Sequence, residues 1–190
     1  MMHIIYLHGF NSSPQSLKAQ ETAAWLARHV PSATLHSPRL SPHPATAIAQ
    51  AEELLLSLPA DSWLIGSSLG GYYAGWLAEQ HGRKAALINP AITPYIDLQR
   101  YLGAQRNPYT GEEYLLDESD MQALLDMRIE APAAGAYWLW LGSADEVLDW
   151  QAAARYYRGH RQTIFNGDDH RLKRWPECLP PLLRWAAADC

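Results

Sequence analysis

Cysteine is nearly absent from this 190-residue chain: Cys178 and Cys190 are the only two, and Cys190 is the last residue. That argues against a disulfide framework and for a reducing compartment. No uninterrupted apolar run approaches the roughly 18 residues a membrane helix needs. The start, Met-Met-His-Ile-Ile-Tyr-Leu, has no basic stretch followed by a long apolar one, so no secretory signal is expected. There is no block of basic residues either. The 15 lysines and arginines are spread along a chain of net charge −5, which argues against nucleic acid as the main partner. No fixed-period repeat and no low-complexity tract is found. Phenylalanine is scarce, with two against eight tryptophans and ten tyrosines. Such amphipathic aromatics can surround a ligand cleft, but core packing is their commoner use.

What remains is a 48% hydrophobic, 18% charged sequence of a length that suits one domain, 1–190. A soluble, cytoplasmic protein is the expectation. Short apolar runs at 3–7, 33–36, 63–65, 85–88, 137–141 and 162–165 read as six strands. Helix-spaced apolar stripes lie between them. Ser13-Pro14 reads as an N-cap followed by a first-turn proline, ahead of a stripe of Leu17, Ala24, Trp25 and Val30. Further helices are expected over about 45–58, over 69–81 with Gly82 as C-cap, and over about 176–188. Alternation of this kind gives right-handed βαβ units and a mainly parallel sheet with helices on both faces. The stretch 93–130 breaks the rhythm. It reads either as a small cap or binding insertion or as a solvated excursion with a helix over about 118–127, and the sequence leaves both open.

Gly66-Ser67-Ser68-Leu69-Gly70 fits G-x-S-x-G in one frame, with Ser68 as candidate nucleophile. The pattern has a mechanical basis. A strand must turn sharply into a helix with one serine exposed at the turn, and the residues two before and two after it must be small. The motif alone is weak, but here it lies between an apolar strand and a helical stripe. The rival reading, a nucleotide-binding glycine turn, lacks the P-loop lysine after Gly71 and lacks G-x-G-x-x-G.

A serine hydroxyl needs a base. In an open α/β sheet the active groups gather at the carboxyl ends of the strands. His3 and His160 precede strands, and His29 and His81 sit at helix ends. His170 follows the last strand on a loop at the correct end and is the candidate base. The acid expected to hold its tautomer is Asp145, after the strand at 137–141, with Glu146 and Asp149 as rivals. Asp168 and Asp169 are too near His170 in sequence to reach its far ring nitrogen. The resulting order, Ser68, Asp145, His170, is that of α/β-hydrolases. The backbone N–H groups of Leu69 and Phe10 are the candidate oxyanion hole, with Gly9 allowing close approach and His8 read as structural.

His8-Gly9-Phe10-Asn11-Ser12-Ser13-Pro14, the 66–71 elbow, Asn89-Pro90-Ala91, Asn107-Pro108-Tyr109-Thr110-Gly111-Glu112 and Asp145-Glu146-Val147-Leu148-Asp149 resemble the small bacterial YqiA-like esterases of the α/β-hydrolase superfamily, over essentially the whole chain. The resemblance implies a carboxylic-ester hydrolase with Ser68 as nucleophile, Asp145 as acid and His170 as base, and with no metal or organic cofactor. Arg171-Leu172 departs from the small residue and aromatic that often follow the histidine in such esterases.

The expected activity is hydrolysis of small acyl esters, with Tyr72, Tyr73 and Tyr95 as candidate substrate contacts. An acyl-CoA thioesterase would use the same residues. A peptidase would need a side-chain specificity pocket that nothing here marks. A non-catalytic binding module on the same fold, and a metal site built on His170, Asp168 and Asp169, are the readings from other classes.

Overall fold

The computed structural model describes residues 2–133 and 135–188. The chain begins with β1 (His3–Leu7), α1 (Leu17–His29), β2 (Thr34–His36) and α2 (Pro44–Ser57). It continues with β3 (Trp63–Ser67), α3 (Leu69–His81) and β4 (Lys84–Ile88). An insertion follows, with α4 (Pro94–Asp97), a short 3-10 turn, β5 (Gly103–Arg106), β6 (Glu113–Leu116) and α5 (Glu118–Asp126). The last part is β7 (Ala136–Gly142), α6 (Trp150–Tyr156), β8 (Arg161–Phe165) and α7 (Trp175–Ala187).

Six strands form one parallel sheet in the order β2-β1-β3-β4-β7-β8. Alternate residues along each strand face opposite sides. Ile4, Tyr6, Ile65, Ile88, Trp138 and Trp140 pack with α1 and α7. Ile5, Leu7, Leu64, Leu87, Leu139 and Leu141 pack with α2, α3 and α6. The tryptophans belong to this packing: Trp63, Trp138, Trp140 and Trp175 are buried, and Trp25, Trp76, Trp150 and Trp185 are half-buried against the two cores.

One local expectation is revised. Helix α1 starts at Leu17, because the Ser13 hydroxyl oxygen accepts from the Gln15 N–H and closes a turn ahead of the helix. Cys178 is a buried free thiol whose pKa burial pushes up to about 12, while Cys190 lies outside the described residues.

The strand order fixes where a site can form. From β1 the chain moves to one side to make β2, then returns to the other side of β1 to make β3. Helix α1 leaves toward one face and α3 toward the other. The loops after β1 and β3 therefore diverge at their carboxyl ends and leave a crevice between them.

The insertion is well packed. Leu116, Met121, Leu124 and Met127 enter the core on the α2–α3 side. Helix α5 is held by a capping box between Asp117 and Asp120. Strands β5 and β6 form an antiparallel hairpin that has no counterpart in the expected elements.

Candidate active site

Ser68 stands in the turn between β3 and α3 with φ 57° and ψ −120°. A non-glycine residue holds such a conformation only where its surroundings enforce it. Here the Ser68 N–H donates to the Ile88 carbonyl, and the Ser68 carbonyl accepts from Gly71 and Ala91. The flanking glycines are needed on steric grounds. A Cβ on Gly66 would lie 2.2 Å from the Gly70 carbonyl oxygen, and one on Gly70 would lie 2.0 Å from that of Leu7. The Ser68 hydroxyl has no hydrogen-bond partner among the described residues and opens into cavities that His170 also lines.

His170 Nδ1 lies 2.8 Å from Asp145 Oδ2. The Asp145 side chain is 1% exposed and that of His170 is 19% exposed. The other Asp145 oxygen accepts from the Val147 and Leu148 N–H groups, each at 2.8 Å. With Asp145 as acceptor, Nδ1 is the donor, and in the neutral ring this tautomer leaves Nε2 as the acceptor. There is no hydrogen bond between His170 and Ser68 here; such bonds are often long before substrate arrives.

The rival acids have other duties. Glu146 Oε2 accepts from the backbone N–H of His170 at 3.0 Å. Asp149 is the N-cap of α6, accepting from the Gln151 N–H. Buried Asp168 accepts from the Lys173 and Arg174 N–H groups, and Asp169 pairs with Lys173 at 2.7 Å. Among the described residues no group of three or more His, Cys, Asp or Glu side chains could hold a metal ion.

Sequence reasoning did not single out Asn89 for this site. Its side-chain amide donates to the Asp169 and His170 carbonyls at 3.2 and 3.0 Å, while its Oδ1 accepts from the Gly142 N–H at 2.8 Å. It thereby joins the loop carrying His170 to the end of β7. The signal was the Asn-Pro step that stops β4, legible only as a strand end.

The N–H groups of Phe10 and Leu69 have no protein acceptor among the described residues, and both residues line the cavity at Ser68. A Cβ on Gly9 would lie 3.2 Å from the Ser68 Cβ, so glycine lets this loop come close. His8 is buried, donates from Nδ1 to the Gly9 carbonyl and accepts at Nε2 from the Leu40 N–H. Burial lowers its pKa and keeps the ring neutral.

Two cavities flank Ser68 and His170. One, of about 230 Å³, is walled mainly by Phe10, Pro94, Leu98, Tyr101, Val147 and Leu148, so the insertion supplies part of it. The other, of about 520 Å³, lies on the α1 side. The structure does not bring Tyr72, Tyr73 or Tyr95 to the wall of either. Buried Tyr72 donates to the Leu124 carbonyl, Tyr73 is buried, and Tyr95 is half-buried against the core.

The family described as "Uncharacterised protein family (UPF0227)" matches residues 3–187. A UPF0227 protein of Shewanella woodyi is 32% identical over 95 residues, 48% of this chain and 52% of that protein, so the match spans about half the length of this curated relative. Est1E from Butyrivibrio proteoclasticus superimposes with a TM-score of 0.76 at 15% identity, covering 99% of this chain and 88% of that one. Alpha/beta hydrolase domain-containing protein 10 from mouse gives 0.73 at 17%, covering 96% and 88%. At such identities the likeness concerns the fold, which is the α/β-hydrolase fold.

Proposed function

The chain belongs to the uncharacterised protein family UPF0227, and from that starting point we propose that it is a serine hydrolase that cleaves small carboxylic esters through an acyl-enzyme on Ser68. The observation that carries this reading is Ser68 at positive φ beside two backbone N–H groups with no acceptor among the described residues, with His170, held by the Asp145 carboxylate, lining the same cavity.

In this reading His170 Nε2 takes the Ser68 proton as Oγ attacks the ester carbonyl. The oxyanion forms against the Phe10 and Leu69 N–H groups, where preorganised donors contribute most. As the carbonyl–alkoxide bond breaks, the proton passes from His170 to the departing alcohol. A water then gives its proton to Nε2 and attacks the acyl carbon, releasing the acid and restoring Ser68. Asp145 stabilises the imidazolium without taking its proton. The insertion serves as a small fixed wall around the acyl group, and the cavity it borders suits short acyl chains. Neither a metal nor a cofactor is required.

A fluorophosphonate probe with peptide mapping tests this. A single adduct on Ser68 is expected, together with turnover of p-nitrophenyl butyrate that persists in EDTA. Ser68→Ala is expected to lower kcat by roughly 10⁶-fold if the three side chains act as a unit. No adduct and no turnover would overturn the reading.

A further inference from the structure

The two cavities beside Ser68 differ in chemistry. The insertion-side cavity is mainly apolar, and the cation in its wall, Arg100, is accompanied there by the Asp97 carboxylate. The α1-side cavity is lined by the cations Lys18 and Arg171 and by hydroxyls that include Tyr6, Ser16 and Tyr109, with no carboxylate in its wall. Lys18 is half-buried and makes no ion pair among the described residues. The carboxylates of Glu21, Asp169 and Asp145 act on it without pairing; Asp169 is engaged by Lys173 and Asp145 by His170, and Arg171 opposes them. Burial without a partner lowers the Lys18 pKa, the mark of an ammonium short of compensating charge. Arg171 is exposed, likewise without an ion pair among the described residues. Helix α1 begins in this wall, and Ser16 makes no side-chain cap bond there. The helix dipole therefore adds positive potential to that of the two side chains.

We propose that the α1-side cavity is an anion subsite, and that the substrate is an ester with an apolar acyl half and an alcohol half bearing a carboxylate or phosphate held by Lys18 and Arg171. The proposal rests on the serine-hydrolase reading above. The acyl half stays covalently attached through the second step and belongs in the apolar cavity. The alcohol half leaves after the first step, from a cavity whose rim carries exposed Arg171 and Tyr109.

The test compares kcat/KM for 4-carboxyphenyl butyrate with that for neutral 4-carbamoylphenyl butyrate, in the wild type and in three variants. The ratio of anionic to neutral ester is expected to fall about tenfold in Lys18→Gln and in Arg171→Gln, the size of a lost charge-assisted hydrogen bond. Lys18→Arg is expected to retain it, and added salt to lower it in the wild type. Comparing ratios between variants cancels the intrinsic reactivity of the two phenols. A 4-phosphonophenyl ester shows which anion fits better, and a ratio sensitive to Lys18 with either anion supports the subsite. An equal fall for both esters would make Lys18 merely structural, and an unchanged ratio would remove the subsite. Dependence on Lys18 confined to a neutral-alcohol hemisuccinate would overturn the assignment of halves. Absence of turnover of the neutral ester, with no fluorophosphonate adduct, would instead sink the underlying serine chemistry.

Discussion

The hydroxyl of Tyr114 donates to Oδ1 of Asn11 at 2.7 Å, across a gap of 103 residues in sequence. Asn107 adds a second tie, donating to the Ser12 carbonyl at 2.9 Å. The insertion hairpin thus holds the loop that carries Phe10. Burial pushes the Tyr114 pKa up to about 12, so its donor proton is retained near neutrality. Tyr114→Phe is expected to lower kcat about tenfold with KM little changed, a positioning loss smaller than the 10²–10³ for removing an oxyanion donor. Unaltered kcat in a variant destabilised by about 1 kcal/mol would show that the tie is structural only.

Asn89 bridges three backbone groups at the base of the His170 loop. Asn89→Ala leaves the Gly142 N–H and two carbonyls without that partner in a buried setting. A loss of about 2–3 kcal/mol in urea unfolding is expected, with a fall in kcat. Asn89→Asp restores the acceptor but not the donors, so kcat is expected to remain low while part of the stability returns. Full activity in both variants would remove Asn89 from the positioning of His170.

The contrast between Asn89 and Asp145 shows how far the sequence could be read. The six sheet strands were legible because each is a short apolar run bounded by turn residues, and topology then put Ser68, Asp145 and His170 at one end of the sheet. The hairpin escaped notice. Gly-Ala-Gln-Arg and Glu-Tyr-Leu-Leu lack a β-branched, alternating pattern, and their pairing depends on tertiary ties to Asn11 and Ser12. Tyr72 and Tyr95 lie on α3 and α4, and helix periodicity alone does not say whether a tyrosine reaches the core or a cavity wall. Lys18 and Arg171 carry no shared motif; only the packed sheet brings them to one wall.

His8 offers a pH test separate from catalysis. Its pKa is lowered by burial, with the Gly9 hydrogen bond opposing in part. Below the ordinary imidazole value of about 6.5 the unfolded chain therefore binds a proton that the native one refuses. The stability contribution is fully present above that value and is lost as pH falls toward the native pKa. In His8→Gln an amide oxygen can still accept from the Leu40 N–H without titrating. Thermal unfolding at about pH 7.5 and about pH 5.5 is expected to show a larger drop for the wild type than for the variant. Parallel curves would mean that His8 is not the group concerned.

Asp145→Asn separates the tautomer from the framework. The two N–H groups of Val147 and Leu148 at Asp145 Oδ1 would fix the amide oxygen of the variant on their side. Its NH₂ would then face His170 Nδ1 as a donor, where the carboxylate accepts at 2.8 Å in the native chain. The imidazole would have to carry its proton on Nε2, the nitrogen proposed to accept from Ser68. The nucleophile loses its base while the loop keeps its shape. The expected result is a kcat lower by about 10⁴-fold, as for the same change in a serine protease triad. Unfolding should shift little, and fluorophosphonate labelling of Ser68 should slow in step with turnover. A variant that still turns over ester at a rate near that of the native chain would assign the orienting role to Glu146, whose carboxylate already holds the His170 N–H.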